Sequence, residues 1–500
     1  MTDRDVYLFS EFKQAQKECG NENLKTILGN KGYNLSEISN IEGVPVPKGF
    51  TITPTACKKV LSQESDSTTL PDDLWNQIIS AIQKLETETQ KSVGKSLIFS
   101  CRPGFSVKNP HIIPVFFNIG LNDAAVSSLS ESEEVSPFIH SIYHKYLQQY
   151  STSILKVGLE KFDELMQGFK MTNDAEELNK FETQLKEMIE QEAGSPFPQD
   201  PLEQLKSIIL YMFEQYNSDQ FQEYRQQNEL SDDIGFSLII QMQVHGNMNE
   251  ASGVGSIISR NPSDGEASPT GDFLPQSTGL DLINKVKPPQ SFSMMERTSP
   301  TAFEKFPEII KKIETHFKDI QTIEFTVENN EIFILQTRPC QVDAHVSFKI
   351  LDDMVNENIL TKEEAINKVS LNNAELCCRD PDEENKDEEQ PQYLNLEEET
   401  EFQQLLTWAD ELRLSNNNRK GQSIQQGVNV RANADTADDI AKAKSLGADA
   451  IGMIRTEKMF LNEERLPTIQ TLMLSEKEEE IQQATNELVE AQSSEYVSIF

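Results

Sequence analysis

Histidine and cysteine are the side chains most often used as metal ligands, and this sequence has six of each. His140 and His144 lie four residues apart in a predicted helix, so both imidazoles would share one helix face and could bind a metal. No acidic or cysteine ligand set joins them, so we interpret them as ordinary histidines. The cysteines never form a Cys-x-x-Cys pair, and Cys377 and Cys378 are adjacent beside a charged stretch. They are interpreted as reduced thiols without a metal or disulfide role.

Two cationic motifs near the amino end could bind phosphate. Lys31 stands in the glycine turn Gly29–Gly32, and Arg102 follows the apolar run Leu97–Ser100. The pattern around them predicts a strand, the glycine turn, a helix, a strand and a helix. Arg102, which Pro103 and Gly104 follow, is predicted to lie in a loop.

The charge balance excludes two classes of partner. Asp and Glu number 82 against 45 Lys and Arg, which gives a net charge of -37. A surface this acidic argues against nucleic acid or an anionic membrane as the main partner. No apolar run approaches the roughly 20 residues needed to span a bilayer, and no targeting signal is evident at either end. We therefore predict a cytoplasmic protein that binds neither nucleic acid nor membrane.

The remaining sequence divides by its periodicity. Long amphipathic helices are predicted from about 123 to 224, and strands from about 235 onward, with a hairpin turn at Asn329-Asn330. The stretch 379–400 carries ten Asp or Glu against two Lys or Arg and is interpreted as a solvated linker.

The residues after this linker predict a βαβ unit. The strand VNVRAN is followed by a helix that Thr436 and Asp439 cap together and that Gly447 ends; a second strand, AIGMIRTE, comes next. Strands joined by a crossover helix must be parallel.

Six motifs in order carry a family resemblance. They are GNKGYNLSEISNIEGVPVPKGFTIT, FNIGLND, PFPQDPLEQL, GNMNEASGVGSIISRNPSDGE, IQTIEFTVENNEIFILQTR and VNVRANADTADDIAKAKSLGADAIGMIRTEKMF. Together they resemble the pyruvate, phosphate dikinase family over about 1–375 and 400–500. Enzymes of that family combine an ATP-grasp nucleotide domain, a swivelling domain with a phosphorylated histidine, and a (β/α)8 barrel that binds phosphoenolpyruvate.

The resemblance implies an α+β, ATP-grasp-like N-terminal region with an inserted helical subdomain, followed by a partial (β/α) barrel segment. The implied domains are an ATP-grasp-like first part at 1–123, a helical subdomain at 124–204, an ATP-grasp-like second part at 205–345, a helical connector at 346–378, the acidic linker at 379–400 and a partial phosphoenolpyruvate-barrel-like segment at 401–500.

The family's nucleotide-binding residues fall on Lys31, Arg102, Glu324, Gln336 and Arg338, and all five match in residue type. The resemblance gives Lys31 and Arg102 to the phosphates, and Glu324 and Gln336 to the metal side. The implied cofactor is ATP or AMP with Mg²⁺, and no other is predicted.

Other positions depart from the family pattern. The family's glycine-rich phosphate loop falls on 109–118, where His111 replaces a glycine and Pro114 and Val115 replace an Asp-Thr pair. A phosphate cradle needs free backbone N–H groups and close approach, and Pro114 removes one N–H. We therefore expect weak nucleotide binding and poor positioning of the γ-phosphate.

Two modules of the family are incomplete. No segment resembles the one that carries the phosphorylated histidine; the acidic linker stands in its place. About 100 residues follow the linker, whereas a barrel needs about 250. Arg431 and Arg455 match substrate-phosphate arginines of the barrel and are interpreted as vestigial.

These observations favour a degenerate dikinase relative without catalytic residues of its own and unable to run the full reaction. It would retain residual ATP or AMP binding and a structural or regulatory role in a complex. One alternative is an ATP-dependent phosphotransferase that phosphorylates a histidine on another chain. Another is one part of a split assembly or an incomplete gene model. A protein partner or a larger complex is expected to bind through the C-terminal segment.

Overall fold

The structure is a computed structural model, and contacts divide the chain into two compact units. The first comprises Met1–Asn261 and Ala267–Cys340, and the second Pro262–Glu266 and Gln341–Phe500. The structure describes residues 4–61, 69–105, 113–130, 135–169, 172, 174–229, 236–283, 287–369, 400–419, 430–445, 447–456, 458 and 465–499.

Ten strands and thirteen helices are described in the first unit. The strands are β1 (Val6–Leu8), β2 (Gly49–Ile52), β3 (Phe99–Phe105), β4 (Phe116–Ile119), β5 (Phe236–Met242), β6 (Gly253–Ile258), β7 (Thr270–Pro275), β8 (Gln290–Ser291), β9 (Gln321–Glu328) and β10 (Glu331–Pro339). The helices are α1 (Phe12–Cys19), α2 (Asn21–Ser39), α3 (Pro54–Leu61), α4 (Asp72–Thr89), α5 (Asp123–Leu129), α6 (Ser136–Ser153), α7 (Leu159–Gly168), α8 (Ala175–Ala193), α9 (Pro201–Tyr216), α10 (Asp219–Gln227), α11 (Gly279–Ile283), α12 (Met295–Thr298) and α13 (Pro300–Phe317).

The first sheet is antiparallel, with strand order β1-β2-β5-β3-β4. Its central strand, β5, has the nearly continuous apolar sequence FSLIIQM and is buried along almost its whole length, as in a sheet covered on both faces. Helix α3 follows β2, and at its start Oγ1 of Thr53 accepts a hydrogen bond from the amide of Ala56 (3.3 Å).

The prediction that Arg102 lies in a loop is wrong, because β3 continues through it to Phe105. Arg102 pairs with Ile239 of β5, and Pro103 pairs with Leu238. Strand β4 pairs with β3 only as far as Cys101. Among the described residues, β4 does not pair with β3 at Pro103, so the missing N–H interrupts no hydrogen bond between these two strands.

The second sheet is also antiparallel, with order β10-β9-β6-β7-β8. The predicted hairpin is confirmed: Asn329 and Asn330, with φ of 48° and 64°, connect β9 to β10. Positive φ at both central residues is typical of the tight turn whose twist matches a hairpin. Leu35 and Ile38 of α2 and the apolar face of α13 share a core cluster with this sheet.

The predicted helical stretch is present as α5 to α10, whose buried residues share a core cluster with the first sheet. The predicted subdomain boundary between 204 and 205 falls inside α9.

The second unit has six described helices and two described strands. They are α14 (Ala344–Asn356), α15 (Lys362–Lys368), α16 (Thr400–Arg419), β11 (Arg431–Asn433), α17 (Ala437–Ser445), β12 (Ala450–Met453), α18 (Leu466–Leu474) and α19 (Glu478–Ile499). The predicted βαβ unit is confirmed, because β11 and β12 pair in parallel. The predicted cap is confirmed as well: Thr436 and Asp439 exchange hydrogen bonds of 3.1 Å. The acidic linker, apart from Thr400, lies outside the described residues.

Within the described part of the chain, no helix is long and apolar enough to cross a membrane.

Candidate functional site

Lys31 lies just after a break in helix α2. At Gly29 the backbone leaves helical geometry, with φ 70° and ψ 165°, a conformation that glycine adopts without strain. The predicted glycine turn is therefore a one-residue break inside a longer helix. The helix resumes at Asn30, so the amino end of this second segment, with the positive end of its dipole, lies beside Lys31.

Small residues bring α2 close to the first sheet. A Cβ on Gly32 would lie 2.7 Å from Oγ1 of Thr51 on β2, and a Cβ on Gly104 would lie 3.5 Å from Cβ of Lys31. Arg102 and Gly104 are two residues apart on β3 and therefore face the same side of the strand. The Cβ of Lys31 thus lies beside the face of β3 from which Arg102 projects.

The electrostatics of this pair favour an anion. The pKa of Lys31 is lowered to about 8, chiefly by burial and also by the charge of Arg102, against an opposing effect of Glu324. Burial also lowers the pKa of Arg102, and Glu324 again opposes the shift. The Nε atom of Arg102 is buried and has no hydrogen-bond partner among the described residues. Two neighbouring cations with an unsatisfied buried donor would both be stabilised by a phosphate.

The second sheet supplies the remaining predicted residues. Glu324 on β9 and Gln336 on β10 are direct cross-strand partners, and such pairs project from the same face. The register shifts between Ile334 and Gln336, so an irregularity immediately precedes the site. The Arg338 guanidinium lies 4.0 Å from Glu324 and its side chain is 62% exposed, so this contact is a weak surface ion pair.

The oxygen ligands that Glu324 on β9 and Gln336 on β10 offer fit Mg²⁺ only if a bound nucleotide supplies further oxygen ligands. Among the residues that the structure places, no group of three or more His, Cys, Asp and Glu side chains could hold a metal ion. Mg²⁺ is commonly bound by one or two carboxylates plus phosphate oxygens and water. Glu324 and Gln336 offer one carboxylate and one amide oxygen, which suits a metal that arrives with a nucleotide.

The loop that departs from the family pattern is described from Ile113 onward; His111 lies outside the described residues. The carbonyl of Val115 accepts a hydrogen bond from Gln149 of α6 (2.8 Å), and the amide of Phe117 donates to the same side chain (3.3 Å). Phe116 is completely buried. The side chain of Gln149 thus forms hydrogen bonds with one carbonyl and one N–H at the start of β4. That N–H is then not available to bind a phosphate.

In the second unit, Arg455 is held by a residue that the sequence analysis did not identify. Its Nε and terminal nitrogen donate to Asp435 at 3.0 and 2.7 Å, and Lys458 lies 2.9 Å from the same carboxylate. Hydrogen bonds from Arg455 and Lys458 lower the pKa of Asp435. Arg431 lies exposed on β11, opposite Ala450.

The interpretation that no acidic residue joins the two helical histidines is wrong. His140 and His144 are buried in α6, and Glu182 of α8 lies 2.6 Å from Nδ1 of His140 and 3.3 Å from Nε2 of His144. An acidic partner therefore does join them, from 42 residues further along the chain. Burial tends to raise the pKa of Glu182, but the hydrogen bond with His140 and the close contact with His144 outweigh burial and lower that pKa.

Another contact at the site has no local sequence signal. Asn34 of α2 forms two hydrogen bonds with Thr337 of β10, across 303 residues of sequence. Only the position of Asn34, three residues after Lys31 on the same helix, could have suggested a role.

Comparison with protein families identifies the class. Residues 25–222 and 274–358 match the family described as pyruvate phosphate dikinase, AMP/ATP-binding domain. Residues 411–498 match the family described as PEP-utilising enzyme, PEP-binding domain. The first match covers more than half of the chain and contains all five predicted nucleotide-site residues. The chain therefore belongs to the pyruvate, phosphate dikinase family and carries both of these domains, the second as a shorter match.

Curated relatives agree with this assignment. Pyruvate, phosphate dikinase of Clostridium symbiosum is 26% identical over 630 residues, covering 99% of this chain and 69% of that protein. The Rickettsia typhi protein of the same name is 32% identical over 70% of this chain and 41% of its own length. The chloroplastic protein of Flaveria pringlei is 31% identical over 74% and 39%. The chain thus spans about two fifths of the length of the last two.

Proposed function

We propose that this chain is a degenerate dikinase relative that binds ATP or AMP, with Mg²⁺, in an ATP-grasp-like first unit but does not run the full dikinase reaction. The observation that carries the proposal is the arrangement of Lys31 and Arg102, two neighbouring buried cations, with no hydrogen-bond partner for the buried Nε of Arg102 among the described residues. Lys31 and Arg102 would bind the phosphates, and Glu324 and Gln336 would face the metal. When bound, Mg²⁺ would neutralise charge on the phosphate oxygens.

Loss of the full reaction is supported by two features. The loop that would cover the phosphates contains Pro114 and Val115, which offer neither an extra N–H nor a hydroxyl. In addition, the alignment with the Clostridium symbiosum enzyme runs over 630 positions although the chain has 500 residues, so at least 130 positions contain no residue of this chain. That agrees with the absence of a segment resembling the family's phosphohistidine carrier, without which the two half-reactions cannot be coupled.

Two assays on the full chain test this proposal. Calorimetry with ATP and with AMP, each with Mg²⁺, should show binding to the wild type. An assay for interconversion of pyruvate and phosphoenolpyruvate with nucleotide should show no turnover. Turnover would refute the inactive assignment, and absence of heat with both nucleotides would refute the binding assignment.

A phosphotransferase half-enzyme is the second candidate, favoured by the match of all five nucleotide-site residues to the family in type. It would transfer a phosphoryl group from ATP to a histidine on another chain and release the remaining nucleotide. Incubation of the chain with ATP that carries ³²P at both the β and γ positions and an isolated phosphohistidine domain of a relative would label that domain if this candidate is right. No label above a Lys31→Met control would exclude it.

We further propose that the second unit is a partial barrel segment and that it binds a protein partner. Seven of the eight exposed large apolar side chains among the described residues lie there: Val430, Met453, Leu466, Met473, Leu474, Val489 and Val497. Parallel strands such as β11 and β12 are normally covered on both faces. A photo-crosslinker at Met473 should capture a defined partner in cells, whereas one at the exposed Leu159 of the first unit should not. Equal capture at both positions would contradict the proposal.

A further inference from the structure

Asn34 connects the helix of the cations to the strand of the metal-side residues. Its Nδ2 donates a hydrogen bond to Oγ1 of Thr337 (3.0 Å), and its Oδ1 accepts one from the amide of Thr337 (3.1 Å). Asn34 lies three residues after Lys31, on the same helical segment, and Thr337 immediately follows Gln336. One side chain thus links the two halves of the candidate site.

The position of Thr337 makes this link stronger than an ordinary surface contact. Strand β10 is the edge of the second sheet, and its pairing with β9 is irregular just before Gln336. Thr337 is only 3% exposed, so its N–H and hydroxyl depend on the side chain of Asn34 rather than on bulk water. Helix α2 therefore covers the open edge of the sheet at the point where Gln336 projects.

We infer that Asn34 is a positioning residue, which sets the separation between the Lys31–Arg102 cations and the Glu324–Gln336 pair. The inference rests on the proposed nucleotide function. A nucleotide with its metal must contact both halves at once, the cations through its phosphates and the second sheet through the metal. A misplacement of about 1 Å can cost about 100-fold in the rate of a reaction between positioned groups, and we expect a similar sensitivity to geometry for a ligand that would be held from two sides.

A positioning role and a purely structural role differ in one observable. If Asn34 sets the separation, its loss should weaken ATP binding mainly when Mg²⁺ is present, because only the metal complex bridges both halves. If Asn34 merely stabilises the fold, its loss should lower the melting temperature and weaken ATP binding equally with and without Mg²⁺.

The experiment measures ATP affinity of the full chain by calorimetry, with Mg²⁺ and with EDTA, for wild type, Asn34→Ala, Thr337→Val and the double variant. In wild type, Mg²⁺ should raise the affinity. In Asn34→Ala this gain should fall by about tenfold or more, while the EDTA affinity changes less than about threefold. Thr337→Val keeps the backbone N–H and should lose part of the gain, Thr337→Ser should retain it, and the double variant should be no worse than Asn34→Ala.

Asn23→Ala is the matched control, because Asn23 is an exposed asparagine earlier on α2. It should leave both affinities unchanged. Equal losses with and without Mg²⁺, or an unchanged gain in a folded Asn34→Ala protein, would overturn the inference. Absence of ATP binding in wild type would overturn the proposed function and this inference with it. The wild-type titration alone therefore separates failure of the proposed function from failure of this inference.

Discussion

Thr51 occupies the space that a side chain at Gly32 would need: a Cβ there would lie 2.7 Å from Oγ1 and 2.9 Å from Cγ2 of Thr51. Both branches of the threonine are in the way, so a rotation of its side chain would not relieve the contact. The absence of a side chain at Gly32 therefore lets α2 lie directly on β2, with Lys31 next in sequence. Close packing at Gly32 is therefore also what places Lys31, one of the two cations that we propose bind phosphate.

Gly32→Ala should destabilise the protein by about 2 kcal/mol, because neither the helix nor the buried strand can move freely. Combining it with Thr51→Ala should recover most of that loss relative to Thr51→Ala alone. Gly168→Ala is the control, since a Cβ at Gly168 would meet nothing within 4 Å. Urea unfolding measures all four variants. If the double variant shows the full additive loss, the contact between Gly32 and Thr51 is not its cause.

Lys31→Met and Arg102→Met should each weaken ATP binding by at least about tenfold, because each removes a charge-assisted contact worth about 1.5–3 kcal/mol. Lys25→Met serves as control, since Lys25 is an exposed lysine of the same helix. Calorimetry with ATP and Mg²⁺ gives the dissociation constants. An equal effect of Lys25→Met would mean that general charge, rather than the site, attracts the nucleotide.

ATP affinity should depend on alkaline pH through Lys31. Its pKa is lowered to about 8, and a phosphate binds the protonated amine, so affinity should be constant below pH 8 and fall above it. The fall approaches about tenfold per pH unit if the neutral amine contributes nothing. In Lys31→Arg the cation cannot be deprotonated in this range, and the profile should be flat. The same decline in Lys31→Arg would assign the titration to another group.

Glu182 should stabilise the helical stretch in a pH-dependent way. Its pKa is lowered in the folded state because the hydrogen bond with His140 and the close contact with His144 outweigh the opposing effect of burial. A carboxyl with a lowered folded pKa contributes stability above its unfolded value, near 4.5, and that contribution is lost as pH falls through the folded pKa. Glu182→Gln should therefore cost about 2 kcal/mol at pH 7 and progressively less in acid. Thermal unfolding of Glu182→Gln beside the exposed-site control Glu187→Gln gives the comparison, and a pH-independent difference would contradict this account.

Turns and helix ends that depend on a few neighbouring residues could be predicted from the sequence. Asn329-Asn330 predicts the hairpin, and Thr436 with Asp439 predicts the start of α17, because each of these signals acts on residues no more than four positions away. The same local reasoning failed at Arg102. Pro103 and Gly104 are turn residues in isolation, but pairing with Leu238 and Ser237 of β5 continues the strand through them.

The candidate site was predictable only in part for the same reason. The family motifs identified Lys31, Arg102, Glu324, Gln336 and Arg338. They did not identify Thr337 as the partner of Asn34 or Glu182 as the partner of the two histidines. Those pairs are 303 and 42 residues apart in sequence, and only the packing of elements brings them together.

A crystal structure of the full chain with ATP and Mg²⁺ would test the central claim most directly. The account predicts a triphosphate in contact with Nζ of Lys31 and Nε of Arg102, with the metal facing Glu324 and Gln336. Well-ordered nucleotide bound elsewhere, or an empty site at saturating ATP, would contradict it.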